Sequence, residues 1–242
     1  MVEQLRQQVL EANLELERRG LVIYTFGNAS GIDRAAGRVA IKPSGVPYDK
    51  LRAEDLVVTD LDGRVVEGRL KPSSDLATHI ALYHAFPAIG GVVHTHSRYA
   101  TAWAQAGREI PCLGTTHADY FRGPVPLTSP LSAEDVAGDY EANTGSAIVR
   151  RLQGLEGCPA ALVAGHGPFC WGPSPMQAAE MAVLLEELAR LAYYTVTLNA
   201  AAPAIPDHLR DRHYLRKHGP AASYGQSAAP GSGTGCSPAR RR

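Results

Sequence analysis

The order of apolar and polar positions divides the chain into helices and short strands. Apolar residues from Val2 to Leu16 recur at the helical interval, and Gly20 is suited to end that helix. Strand-like runs follow at residues 21–25, 38–41 and 56–59, and Asp62-Gly63 predicts a hairpin turn into residues 64–66. The first quarter of the chain therefore reads as one helix followed by a small group of strands.

Helical patterns then alternate with apolar runs. Residues 76–85 and 99–105 predict helices, and Ser132 with Asp135 three positions on predicts the start of another. The strongest helix signal comes late, where Ser174, Pro175 and Gln177 precede an apolar-rich segment that runs to about residue 198. The mixture predicts an α/β fold, with a sheet covered by helices.

Composition is consistent with one sizeable domain. The chain has 242 residues and is 45% hydrophobic, which is enough to bury a substantial core. We assign this domain to residues 1–226. Residues 227–242 are rich in Gly, Ser, Pro and Ala and have too few apolar residues to offset ordering entropy, so we predict a disordered tail.

Charge and cysteine content exclude several classes of protein. Formal net charge is zero, and three arginines close the chain, so the domain itself has no basic excess to attract nucleic acid. The four cysteines are scattered without a Cys-x-x-Cys pair, which argues against a disulfide framework and favours the cytoplasm. No long apolar stretch or leader-like segment is present, so we expect neither a membrane span nor a signal peptide.

Three histidines suggest a metal site. His94 and His96 are two residues apart at the end of an apolar run, and alternate residues of an extended strand point the same way. His166 follows a second apolar run, at 160–163, and has glycine on both sides. Three neutral imidazoles, with or without a carboxylate such as Asp75, would leave positions on a divalent ion open to substrate, as a catalytic site requires.

Two loops and one helix start have the composition of an anion site. Residues 27–30 and 42–45 combine small residues, exposed backbone N–H groups and one lysine, and Ser73-Ser74 precedes a predicted helix. Each alone is equally compatible with an ordinary turn or a helix cap. There is no P-loop and no dinucleotide-binding Gly-x-Gly-x-x-Gly, so a phosphate held here would belong to a small molecule.

A further cluster lies at residues 114–120. This segment places Thr115, His117 and Asp119 in a short loop, a common location for functional side chains. His117 is equally compatible with a structural histidine, and Asp119 with a turn residue.

Six segments together resemble the class II aldolase family and, within it, the L-ribulose-5-phosphate 4-epimerases. They are KPSGV at 42–46, KPSSD at 71–75, VHTHSR at 93–98, GTTHADYF at 114–121, GHGPF at 165–169 and HYLRKHG at 213–219. The resemblance runs in order over nearly all of residues 1–226. It implies a single α/β domain with a mainly antiparallel sheet between helix layers, a homotetramer with active sites at subunit contacts, and a divalent ion, Zn²⁺, with Mn²⁺ or another divalent metal as the alternative.

The implied activity is the interconversion of L-ribulose 5-phosphate and D-xylulose 5-phosphate, which differ only at C4. The C4 hydrogen is not next to the C2 carbonyl and is not acidic, and the sequence has no nicotinamide-binding motif that would serve oxidation at C4. The available route is therefore to break and re-form the C3–C4 bond as in an aldol reaction. A divalent ion makes this possible as a Lewis acid. Because the C4 oxygen lies on opposite sides in the two epimers, two acid–base groups are needed.

The resemblance carries residue roles over position by position. The acid–base groups it implies are Asp119 and Tyr224. The implied metal ligands are Asp75, His94, His96 and His166. The implied phosphate and substrate contacts are Asn28, Lys42, Ser44, Gly45, Ser73 and Ser74. The implied supporting residues are Thr115, Glu141 and His213, of which His213, like Tyr224, comes from a neighbouring subunit.

There are two alternatives to this interpretation. One is an enzyme that catalyses a different reaction, and the other is a protein without catalytic activity. The first is an aldolase or dehydratase of the same family. The resemblance disfavours an aldolase because Asp75 stands where the phosphate aldolases have glutamate. The second is a non-enzymatic scaffold like the adducin-type relatives, which lack the metal ligands, and the three histidines disfavour it.

Overall fold

A computed structural model describes residues 2–155, 157–219 and 222, and one antiparallel sheet organises this part of the chain. Its strands are β1 (Asn28–Asp33), β2 (Arg38–Ile41), β3 (Val57–Thr59), β4 (Val65–Glu67), β5 (Gly91–His94), β6 (Ala160–Val163) and β7 (Gly167–Gly172). Their order across the sheet is β4-β3-β2-β1-β5-β7-β6, and every neighbouring pair is antiparallel. β5, which ends at His94, therefore lies between β1 and β7.

Helices cover both faces of this sheet. They are α1 (Val2–Arg18), α2 (Leu76–Ala85), α3 (Arg98–Gln105), α4 (Thr115–Ala118), α5 (Ala133–Ala137), α6 (Tyr140–Arg151), α7 (Pro175–Leu198) and α8 (Asp207–His218). On one face α1, α3 and α7 pack against the sheet, and on the other α2 and α6 pack together. The predicted α/β class, with an antiparallel sheet between helix layers, is confirmed.

The alternation of side chains along β5 divides the core into two layers. Val93 packs with Trp103 and Leu185 on the face covered by α3 and α7. Val92 points to the other face and packs with Leu82 of α2 and Ile148 of α6. Burial on both faces explains why β5 reads as a continuous apolar run, and it holds the strand that delivers His94 in a fixed position.

Most predicted elements are confirmed, and one strand is wrong. The opening helix, the strand at 38–41 and the helices at 76–85, 99–105 and 175–198 appear close to their predicted bounds. Residues 21–25 form no strand, and Ile23 and Tyr24 are 52% and 83% exposed. The strand begins instead at Asn28, inside the segment predicted as an anion-binding loop, because β2 and β5 both supply backbone partners there.

Some predictions concern residues outside this description. Tyr224, the domain boundary after residue 226 and the tail at 227–242 lie outside the described residues. Within the described ranges, no helix is both long enough and apolar enough to cross a membrane.

Candidate active site

Three histidine side chains converge at one edge of the sheet. His94 is the last residue of β5, His96 lies two residues beyond, and His166 lies in the turn between β6 and β7. The Nε2 atom of His96 is 3.0 Å from Nε2 of His94 and 3.2 Å from Nε2 of His166. The turn needs Gly165, which has a φ of +71°, a conformation that favours glycine. Main-chain geometry thus brings the predicted imidazoles together.

Partners on the far side of two rings fix which nitrogen faces the cluster. The carbonyl oxygen of Pro168 accepts a hydrogen bond from Nδ1 of His94 at 2.9 Å, so this Nδ1 carries a proton and Nε2 presents a lone pair. The Nδ1 of His166 lies 3.2 Å from the hydroxyl oxygen of Tyr140. The ring of His94 also stacks on Phe169, with centroids 4.2 Å apart.

Burial and neighbouring imidazoles lower the pKa of two of these histidines, His96 and His166, which favours their neutral form. Burial, and then the neighbouring His94 and His96, lower the pKa of His166 to about 4. Burial, and then His94, also lower the pKa of His96. Neutral imidazoles with converging Nε2 atoms are what a zinc-type divalent ion binds, so the residues present fit such an ion.

Asp75, the fourth predicted ligand, lies beside this cluster. It occupies the N-cap position of α2 without a capping hydrogen bond from its side chain, and its Oδ2 instead accepts a hydrogen bond from the Asn28 amide at 2.6 Å. Burial raises the pKa of Asp75, but His94, His79 and the Asn28 hydrogen bond outweigh it and hold the pKa below its usual range. Among the described residues, the compact group of possible ligand atoms consists of the three histidines without Asp75.

One cavity of about 380 Å³ joins the histidines to the segments predicted to bind an anion. Its lining includes all the predicted phosphate contacts and all the predicted metal ligands, namely Asn28, Lys42, Ser44, Gly45, Ser73, Ser74, Asp75, His94, His96 and His166. Glu141, predicted as a supporting residue, and Tyr140, which the sequence did not single out, also line it.

Lys42 is a buried cation in this cavity. Only 1% of the residue is exposed, and burial lowers the pKa of its ammonium to about 8. The ammonium lies 3.4 Å from the carbonyl oxygens of Thr25 and Pro43 and 4.8 Å from the centre of the Tyr48 ring. These weak contacts leave the charge available to an anionic ligand.

Asp119 lies outside the histidine cavity, where α4 meets α8. It follows α4 and pairs with α8, where Nδ1 of His213 is 3.0 Å and Nη2 of Arg216 is 2.9 Å from its carboxylate. Burial raises the pKa of Asp119, but the hydrogen bonds from Arg216 and His213 outweigh it and hold the pKa below its usual range. Asp119, His213 and Thr115 are absent from the lining of the histidine cavity.

Two further histidines, His117 and His79, have structural surroundings. His117 is buried, and its Nε2 lies 2.8 Å from the carbonyl oxygen of Gly123, in line with the structural alternative. His79 is fully buried, with its Nδ1 2.7 Å from the Ser30 hydroxyl. The sequence contains one local indication that Tyr140 lies near the site. Asp139 is the N-cap of α6, Tyr140 is the first residue of that helix, and the predicted supporting residue Glu141 follows it.

Comparison with known proteins identifies the fold family. The family model for the class II aldolase and adducin N-terminal domain matches residues 7–193. The chain belongs to this family. A curated member, L-ribulose-5-phosphate 4-epimerase UlaF of Salmonella paratyphi B, is 54% identical over 227 residues, which is 93% of this chain and 100% of the relative.

Solved structures of the class II aldolase family have the same fold. An L-fuculose 1-phosphate aldolase matches with a TM-score of 0.77 at 24% identity, over 89% of this chain and 96% of that one. YgbL from Klebsiella pneumoniae matches with a TM-score of 0.70 at 27% identity, over 88% and 98% respectively. The family depends on a divalent metal ion, and in this member the three-histidine cluster offers the donors.

Proposed function

We propose that this chain is a metal-dependent epimerase that interconverts L-ribulose 5-phosphate and D-xylulose 5-phosphate. The observation that carries the proposal is the single cavity of about 380 Å³ in which imidazole donors for a metal lie beside Lys42, Ser44 and the Ser73-Ser74 pair. Full-length relatives with 54% identity and the name L-ribulose-5-phosphate 4-epimerase support this substrate over that of a sister aldolase.

The proposed reaction breaks and re-forms the C3–C4 bond. An acid–base group removes the C4 hydroxyl proton, the C3–C4 electron pair stays with the three-carbon fragment, and C4 and C5 become glycolaldehyde phosphate, which stays bound in the site. A divalent ion held by the three histidines and Asp75, zinc being the proposed metal and manganese the alternative, supplies Lewis-acid stabilisation of that negative charge. The aldehyde turns, C3 attacks its other face, and O4 regains a proton on that side.

The phosphate contacts keep this intermediate aldehyde in place. The proposed phosphate contacts all line the same cavity and are Asn28, Lys42, Ser44, Gly45, Ser73 and Ser74. Binding energy at this remote group holds the fragment while its reacting end rotates. Retention of the phosphate-bearing aldehyde is what allows C3 to attack its other face, as epimerisation requires.

Asp119 and Tyr224 are the proposed acid–base groups, one for each face of the aldehyde, with Thr115, Glu141 and His213 in support. Asp119 and His213 pair within one chain, yet neither lines that chain's histidine cavity. We propose that a neighbouring subunit supplies both, in a homotetramer. Exposed side chains along α7, with Tyr193, Tyr194 and Leu198 at 47%, 49% and 88%, are consistent with such a contact.

The proposed partner is therefore a small sugar phosphate rather than a nucleic acid or a membrane. Phosphorylated sugars are made and consumed inside cells, so the proposed location is the cytoplasm.

The direct test is incubation of the purified, zinc-loaded protein with L-ribulose 5-phosphate in deuterated water. We expect D-xylulose 5-phosphate that retains its original hydrogen at C4, because the proposed route never breaks the C4–H bond. Accumulation of free glycolaldehyde phosphate would indicate an aldolase instead. Deuterium at C4 would contradict carbon–carbon cleavage, and absence of any product with zinc or manganese would contradict the proposed substrate.

A further inference from the structure

Tyr140 contacts the histidine cluster from a rigid position. It is the first residue of α6, and the Asp139 side chain caps this helix by accepting a hydrogen bond from the backbone N–H of Ala142 at 3.2 Å. The Tyr140 carbonyl accepts from the Thr144 hydroxyl at 2.8 Å, and the next carbonyl, of Glu141, accepts from the Thr78 hydroxyl of α2 at 2.6 Å. The backbone that carries the phenol is thus held within α6 and against α2.

The phenol contacts the side of His166 that faces away from the cluster. Its oxygen is 3.2 Å from Nδ1 of His166, and the two rings lie 6.1 Å apart. Because Nε2 of His166 converges on the other imidazoles, its lone pair must face them, and the ring proton must then sit on Nδ1. The hydrogen bond therefore runs from Nδ1 of His166 to the oxygen of Tyr140.

His94 and His166 are oriented in different ways. The partner of His94 is the main-chain carbonyl of Pro168, which no side-chain substitution removes. The partner of His166 is a side chain, and His166 itself lies in a partly exposed turn after Gly165. Partners of this kind fix the orientation and basicity of a metal-binding histidine.

The hydroxyl proton of Tyr140 is available for a second hydrogen bond. If Tyr140 accepts from His166, its own O–H needs an acceptor, and among the described residues its hydroxyl contacts His166 alone. The residue lines the cavity at the histidine end. An oxygen of a bound sugar at that end would complete the hydrogen bond.

We propose that Tyr140 is a positioning residue for His166 and that its hydroxyl also donates a hydrogen bond to a substrate oxygen at the histidine end of the cavity. The positioning role is independent of which substrate is bound. The second role rests on the proposed function.

The test compares Tyr140→Phe with Tyr193→Phe, an exposed tyrosine on α7 that loses the same atom. Zinc affinity is measured by competition with a chelating indicator, without substrate. We expect the dissociation constant for zinc to rise by roughly 10-fold in Tyr140→Phe, the lower end of the range for outer-shell partners, and to stay unchanged in Tyr193→Phe. The absorption bands of the cobalt-loaded protein should also change in Tyr140→Phe alone.

Tyr140→Gln provides a second comparison, since its amide oxygen can still accept from Nδ1. It should recover part of the zinc affinity lost in Tyr140→Phe. Unchanged zinc affinity and cobalt spectrum in Tyr140→Phe would overturn the positioning role. At saturating zinc, an unchanged KM for L-ribulose 5-phosphate would overturn the donor role. A wild-type protein without epimerase activity would contradict the proposed function, while the zinc measurements would still decide the positioning role.

Discussion

His96 is the exposed member of the histidine cluster, and it contacts both of the others. Its Nε2 is within 3.2 Å of each neighbouring Nε2, and its ring lies near Phe26, with centroids 6.1 Å apart. A single substitution here removes a donor without disturbing β5, where His94 is buried. It is therefore the cleanest position at which to test the metal site.

We expect His96→Asn to lower zinc content and activity by roughly 10-fold or more, because a three-histidine site loses one of its donors. Metal analysis of dialysed protein measures the first effect and an epimerase assay the second. His208→Asn, an exposed histidine on α8, is the matched control and should retain both. Wild-type zinc stoichiometry in His96→Asn would disprove the assigned ligand.

Lys42 allows a prediction about pH. Burial lowers the pKa of its ammonium to about 8, so the free protein loses this charge as the pH rises through that value. A phosphate site that depends on the charge should weaken in the same range, and kcat/KM should fall above a pH of about 8. In Lys42→Met we expect a strongly raised KM and no such decline with pH.

Lys50→Met, at an exposed lysine on a neighbouring turn, is the control and should keep both the wild-type KM and its pH dependence. Identical profiles for wild type and Lys42→Met would mean that Lys42 does not bind the phosphate.

At the scale of secondary structure, local signals predicted what local interactions determine. The sequence alone predicted the Ser174 cap, the helix α1 from its hydrophobic spacing, and the strands β5 and β6 from their apolar runs. β1 was not predicted, because its small and polar residues have low strand propensity and are kept extended by β2 and β5 on either side. The sequence also did not predict the contact between Tyr140 and His166, because this contact depends on how α6 packs against α2.

The packing of α2 on α6 sets the relative position of two residues of the site, because α2 begins after Asp75 and α6 begins at Tyr140. Gly145 allows their close approach: a Cβ there would lie 2.6 Å from Cβ of Ala81 and 3.2 Å from the carbonyl oxygen of Thr78. Because a 2.6 Å approach places overpacking at the upper end of its usual cost, about 2–3 kcal/mol, and helix propensity returns about 1 kcal/mol, we expect Gly145→Ala to lower the free energy of unfolding by about 1–2 kcal/mol.

Urea denaturation of zinc-free protein measures this difference. Ser146→Ala, at the next and exposed position of α6, introduces the same residue without a clash and should not destabilise the protein. Equal stability of Gly145→Ala and wild type would show that the two helices can separate at no cost.

At the scale of the whole molecule, the predicted site residues fall into two groups. The histidines and phosphate contacts line one cavity, whereas Asp119 and His213 lie together where α4 meets α8. Sequence motifs predicted the members of both groups but not their separation, because that depends on how distant segments fold onto the sheet. If His213 serves a neighbouring subunit, the 3.0 Å contact means that Asp119 serves the same one.

This pairing predicts which inactive subunits can restore activity to each other. In a mixture of His96→Asn and Asp119→Asn chains, some sites combine intact histidines from one chain with an intact Asp119 from its neighbour. Random reassembly at equal amounts should regain about one quarter of wild-type activity, since half the cavities and half their partners are intact. Mixtures of Asp119→Asn with His213→Asn should regain none, because every site takes both residues from one chain and lacks one of them. Differently tagged subunits and native mass spectrometry verify that hybrids form. Rescue in the second mixture, or none in the first when hybrids are present, would contradict the shared site and return Asp119 to its own chain.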